Sequence, residues 1–373
     1  MIYLDSAATT LQKPPGVRLA VREAMERMAS PGRGGHRPAM LAAETVFGCR
    51  QCAAELFHLE RPEQAVFTFN ATHALNLAIK TLVRPGDQVV ISGYEHNAVT
   101  RPLAALDCQV RVAAGGLFRP EELLADFDEL ITPQTACVIC THVSNVFGYI
   151  LPIYELGELC HRRGVQLIVD ASQSAGCLPV HMDALGCAFA AMPGHKGLYG
   201  PQGTGLLLCG DGIPVTPLLE GGTGSYSALQ SMPEELPDRL EAGTLNVPGI
   251  AGLWAGLRFV RKQGEEGILR HETKLIRQLA QKLSGNSKLT CFAGPADTQT
   301  GVLSIQAEGW DCEELGEALG SRGVAVRAGL HCAPLAHETA GTRAAGTVRA
   351  SVSAFSSAFE LDRFDRVLNE LVR

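Results

Sequence analysis

Between residues 64 and 210, short apolar runs alternate with helix-like segments, and this alternation constrains the fold of the chain more than any other feature. The runs occupy 65–68, 88–92, 137–142, 166–170, 189–192 and 205–209. They are continuous rather than alternately apolar and polar, as in strands covered on both faces. Between them, 72–82 and 153–163 carry apolar residues at helical spacing. Strands interleaved with helices predict an α/β fold built on a mostly parallel sheet. Beyond residue 250 the pattern changes: a helical stretch over 250–283, an apolar run at 302–305, a helix over 312–321, a run at 323–326 and a last helix over 360–371. These predict a smaller α+β domain. The expected division is a large domain over 13–250 and a small one over 251–373 that includes the N-terminal segment 1–12. The stretch 210–237 reads as a long functional loop.

A length of 373 residues suits two domains, each with its own core. The formal net charge of -7, with no basic run, argues against a nucleic-acid partner. The opening Met1-Ile2-Tyr3-Leu4-Asp5 lacks a charged region followed by a long apolar one, and no stretch approaches 18 apolar residues. A cytoplasmic protein without a membrane partner is expected. Several of the 12 cysteines sit in apolar runs, as reduced core residues do. The pairs Cys49-x-x-Cys52 and Cys137-x-x-Cys140 have zinc-like spacing, but the second pair lies in an expected strand, where residues three apart face opposite ways, and no metal is expected.

Chemistry enters with Asp170 at the end of an apolar run and Lys196 in the glycine-flanked Pro193-Gly194-His195-Lys196-Gly197. An acidic residue at a strand's carboxyl end stands where open α/β sheets bind ligands. A lysine for an imine and an aspartate for a protonated pyridine nitrogen are what pyridoxal phosphate requires. Each alone has a plainer reading, a turn or cap for Asp170 and a solvated side chain for Lys196. Asn70-Ala71-Thr72-His73 opens a helix, whose free amides favour an anion, although Asn70 or Thr72 also reads simply as a cap. His96 and Asn145 follow two further strands and emerge at the same edge, where ordinary turn residues also lie. Arg327-Ala328-Gly329-Leu330-His331-Cys332, with Arg349 downstream, offers a loop thiol near His and Arg and a guanidinium suited to a carboxylate.

Taken in order, Glu95-His96, His142-Val143-Ser144-Asn145, Val169-Asp170-Ala171-Ser172-Gln173, Gly194-His195-Lys196, Glu241-Ala242-Gly243-Thr244 and the Cys332 segment resemble the class V, fold-type I pyridoxal-phosphate enzymes. Among these they resemble the cysteine desulfurases of the SufS-like group. The resemblance spans nearly the whole chain, from Tyr3 to Arg349. It implies a fold-type I transferase and a homodimer that turns L-cysteine into L-alanine and an enzyme persulfide, with a dedicated sulfur-acceptor protein. It implies that Lys196 holds pyridoxal 5′-phosphate as an imine, Asp170 meets the pyridine nitrogen, Gln173 approaches the ring oxygen and His96 stacks on the ring. Thr72 and His195 would bind the phosphate, with Gly243 and Thr244 supplied by the other subunit. Asn145 and Arg349 would hold the substrate carboxylate, and Cys332 would attack sulfur. Ala71, His73, Pro193 and the added Gly197 depart from the common pattern, removing phosphate hydroxyls and shifting the loop after the lysine. Within the same fold, a selenocysteine lyase, an aminotransferase and a racemase are the alternatives. A dinucleotide-binding oxidoreductase lacks its G-x-G-x-x-G after the first strand, and a non-catalytic scaffold would not need Lys196 and Asp170.

Overall fold

Each apolar run of the large domain becomes a strand whose two faces are both covered, as a computed structural model of the chain, describing residues 1–32 and 34–373, makes visible. A two-residue strand, β1 (Ile2–Tyr3), comes first. Seven strands then form the large sheet: β2 (Ala65–Thr68), β3 (Gln88–Ser92), β4 (Gln109–Ala113), β5 (Thr135–Thr141), β6 (Gln166–Asp170), β7 (Phe189–Pro193) and β8 (Gly205–Cys209). Their order is β2-β8-β7-β6-β5-β3-β4. β8 alone runs against the other six strands, whose carboxyl ends therefore share one edge.

Successive side chains on a strand point to opposite faces. On β5, Cys137 and Ile139 enter one core while Val138 and Cys140 enter the other, and on β3 Val89 and Ile91 are opposed to Val90 in the same way. The helix Ala71–Leu82 covers the first face with Leu75, Leu77 and Ile79, and the helix Ile153–Arg163 covers the second with Leu156 and Leu159. Each aliphatic side chain so buried stabilises the fold by about 1.5–3 kcal/mol. β4 has no counterpart among the expected strands. It is the sheet's edge, where Val110 and Val112 stay 39% and 37% exposed, so no continuous apolar run marks it.

The second sheet comprises β9 (Leu289–Phe292), β10 (Val302–Ala307), β12 (Arg327–Gly329) and β13 (Thr347–Ser351), in the order β12-β13-β10-β9, while β11 (Val324–Ala325) pairs with β1. Its core gathers Leu279, Leu303, Ile305, Leu315 and Phe364. The single helix expected over 250–283 is in fact two, Val247–Gln263 and Glu265–Leu283, separated at Gly264 with φ 76°. A left-handed glycine ends the first helix, and Glu265 and Glu266 start the second, where the helix dipole favours negative charge. The first of the two crosses the boundary expected at 250 and packs through Ile250, Leu253 and Leu257 into the large-domain core.

Residues 1–10 strap the two parts together: Leu4 N donates to Ala325 O at 2.8 Å, and Thr10 N to His195 O at 3.2 Å. All 12 cysteines are free; nine are buried, Cys108 and Cys291 are partly buried, and Cys332 is exposed. Among the described residues no helix is long and apolar enough to cross a membrane.

Candidate active site

Five parallel strand ends deliver the candidate residues to one edge. β2 leads to Asn70–Thr72, β3 to His96, β5 to Asn145, β6 ends in Asp170, and β7 leads to His195 and Lys196. Thr72, His96, Asn145, Asp170, Gln173, His195 and Lys196 line one cavity there. The chain after Lys196 is fixed by a close backbone approach. A Cβ on Gly197 would lie 2.3 Å from Ala175 O, and one on Gly176 2.2 Å from Gly197 O, so the added glycine is what admits this contact.

Asp170 is buried, and its Oδ1 accepts from Ser172 N at 2.9 Å. Burial lowers the Lys196 amine to about 8; Asp170 opposes the shift and Arg349 adds to it. His96 Nδ1 accepts from Ala98 N at 3.0 Å and so caps the helix Asn97–Ala105. Burial lowers its pKa, with Asp170 opposing, which favours a neutral ring whose proton lies on Nε2. Burial likewise lowers His195 to about 4, Lys196 and Lys13 adding to the effect, while its Nδ1 stands 3.0 Å from Thr9 Oγ1. Asn70 is a helix cap, accepting from His73 N at 2.9 Å. That cap leaves the amides of Ala71 and Thr72 free of intrahelical partners. On the adjacent β8, a Cβ at Gly205 would lie 2.9 Å from the Asn70 carbonyl carbon, so glycine keeps the helix entry uncrowded. His73 stacks on Phe69 with centroids 4.8 Å apart and does not line the cavity.

Four candidates lie outside the cavity lining. Cys332 is exposed beside it: its carbonyl accepts from Asn97 N at 2.8 Å, next to His96. His331 does not lend Cys332 a positive charge, contrary to the thiol-near-His reading. Its ring is buried against Thr347, with Nε2 3.1 Å from Oγ1, and burial pushes it down to about 2. Arg349 is 2% exposed; Nη2 donates to Asp5 Oδ1 at 2.9 Å and Nη1 to Asn145 O at 2.7 Å, while Nε is buried without a partner. Gly243 and Thr244 lie away from this chain's own cavity, on a segment anchored by the buried pair Arg50–Glu241, two contacts of 2.8 Å each. Glu241 also accepts from Phe67 N at 2.6 Å.

Sequence reasoning gave no role to Asp5, Lys13 or Glu95. Asp5 holds both Arg349 and Arg327, the latter at 2.9 Å, and its partners lie more than 300 residues away, beyond any local pattern. An acidic residue directly after an apolar strand was its one signal. Lys13 donates to His195 O at 2.9 Å, and burial lowers its amine to about 8. Glu95 accepts from Thr141 N at 2.7 Å, and burial raises it to about 8, so it is largely protonated at neutral pH.

Residues 2–364 match the aminotransferase class-V family. A probable cysteine desulfurase of Methanothermobacter thermautotrophicus is 32% identical over 383 residues, covering 99% of this chain and 94% of that protein. A cysteine desulfurase of Escherichia coli O157:H7 is 34% identical, covering 100% and 94%. Among solved structures, an apo cysteine desulfurase from Thermococcus onnurineus NA1 superposes with a TM-score of 0.90 at 31% identity, over 100% of this chain and 94% of that one. An Escherichia coli cysteine desulfurase in an S-sulfonic acid form gives 0.88 at 25% identity, over 100% and 95%.

Proposed function

The chain belongs to the aminotransferase class-V family, and from that premise we propose that it is a cysteine desulfurase of fold-type I architecture, using pyridoxal 5′-phosphate to convert L-cysteine to L-alanine. The observation that carries this reading is the meeting of Asp170 and Lys196 in one cavity beside the exposed thiol of Cys332.

The cavity's residues fit the cofactor. Lys196 would hold its carbonyl carbon, Asp170 its pyridine nitrogen, and the free amides at the helix entry, with Thr72 and His195, its phosphate. His96 offers a flat neutral ring. Gln173 Nε2 donates one hydrogen to Ala7 O at 2.9 Å and keeps a second for the ring oxygen. The missing hydroxyl at Ala71 is offset by the backbone amides of the helix entry, whereas Pro193 offers neither a hydroxyl nor an N–H. When bound, pyridoxal phosphate supplies an electron sink for the charge left at Cα.

The remaining steps fall to the chain itself. The lowered basicity of Lys196 gives it a usable neutral fraction near pH 7–8, so it can take the Cα proton and return it. Arg349 and Asn145 hold the substrate carboxylate, with Asp5 orienting the guanidinium. Cys332 attacks the substrate sulfur: the S–S bond forms as the Cβ–S bond breaks, and Cβ gains the proton that completes alanine. Gly243 and Thr244 serve the cavity of a second copy in a homodimer. The sulfur passes from Cys332 to an acceptor protein, in the cytoplasm.

The test is Cys332→Ala. It should bind pyridoxal phosphate and respond spectrally to L-cysteine, yet form no persulfide and almost no alanine. Alanine at the wild-type rate overturns the assignment. Running L-selenocysteine in parallel, and scoring alanine, sulfide and selenide, separates the desulfurase from a selenocysteine lyase.

A further inference from the structure

His331 and Cys332 are consecutive non-glycine residues in the left-handed region, with φ 51° and 55°. Such a backbone persists only where surrounding contacts impose it. Here each of the two carbonyls receives one hydrogen bond from the strand ends of the large sheet: Asn145 Nδ2 donates to His331 O at 2.8 Å, and Asn97 N donates to Cys332 O at 2.8 Å. Asn145 is itself fixed, because its carbonyl accepts from Arg349 Nη1 at 2.7 Å. The side-chain amide thus spends a donor on the cysteine turn.

We infer that Asn145 is a positioning residue for the nucleophile: together with the Asn97 amide it forms a two-point clamp that holds the strained His331–Cys332 turn against the cavity edge. The inference rests on Cys332 being the sulfur nucleophile, but the clamp itself exists without chemistry. Because Arg349 supports both Asn145 and the carboxylate site, substrate docking and thiol placement share one support. The clamp fixes where Cys332 points, and the left-handed turn is the conformation it selects.

Two variants remove the two points separately. Asn145→Asp keeps the shape but has no hydrogen to donate to His331 O. Asn97→Pro deletes the other donor at the first helical position, where proline is well tolerated, and the preceding His96 already has extended backbone at ψ 157°. The readout is hydrogen exchange in cofactor-free, substrate-free protein, at the Ala333 amide, which closes the turn by donating to Leu330 O at 2.9 Å. Both variants are expected to exchange faster there by about tenfold, the factor for releasing one left-handed residue. Exchange in Gln166–Asp170 should stay at the wild-type rate, as the control for intact folding. Iodoacetamide labelling of Cys332 should change in rate in both variants. Wild-type exchange at Ala333 in either folded variant overturns the clamp and leaves Asn145 a substrate ligand only. A protein that shows the clamp yet makes no alanine refutes the desulfurase reading alone.

Discussion

Lys196 is a cation placed where a cation is disfavoured, and the consequence is measurable without any cofactor. Burial lowers its amine to about 8 from an ordinary 10.5. Between those values the unfolded chain binds a proton that the folded chain does not, so stability contributed at this site rises with pH across the window. Below about 8 both states are protonated and the cost of burying the charge is fully present. Competitive acylation of the apo protein, followed by peptide mapping, should give Lys196 a midpoint near pH 8. A midpoint near 10.5 would remove the lowered basicity from the proposed proton transfer. Mapping is essential, since Lys13 shares the same range for the same reason. Lys196 and Asp170 were legible because a strand end and a glycine-flanked loop mark them locally. Asp5 was not: its role is to hold Arg327 and Arg349, and nothing within ten residues of it predicts that pairing.

Among the elements, the segment carrying Gly243 and Thr244 depends on one buried ion pair. Arg50, on the helix Arg37–Leu56, and Glu241 have side chains 7% and 5% exposed, and Glu241 also caps the Phe67 amide of β2. Breaking such a pair from one side strands a buried charge, at a cost of about 3–5 kcal/mol. Glu241→Ala should therefore lower the unfolding free energy measured by chemical denaturation by that amount, and the double variant Arg50→Met, Glu241→Leu should recover most of it. If the single variant is as stable as the parent, the pair does not anchor the segment. Elements were legible wherever packing is two-sided: β3, β6 and β8 match the expected bounds because every interior position is apolar. The edge strand β4 and the break at Gly264 were not, since one is half solvated and the other rests on a single dihedral angle within a continuous helical pattern.

At the scale of the whole molecule, seven candidate residues meet in one cavity while Gly243 and Thr244 lie elsewhere, Thr244 beside exposed apolar Phe69 and Leu219. The homodimer proposed above, with shared sites, would account for both facts. Lys196→Ala and Thr244→Ala subunits, each impaired alone, should complement when mixed: in a mixed dimer one site has both residues intact, so about a quarter of all sites recover. Activity no higher than the average of the unmixed variants would place Thr244 in its own chain's site.

The distribution of thiols has an effect on traffic through this molecule. Sulfane sulfur migrates by exchange with a thiolate that can reach it. Apart from Cys332, the thiols are wholly or partly buried, and burial pushes Cys137, Cys160 and Cys291 up to ordinary inertness or beyond. Under the proposed function, sulfur loaded on Cys332 would find no second berth within its own chain. The chain would then be a carrier with a single slot, which must be emptied from outside before it can be filled again.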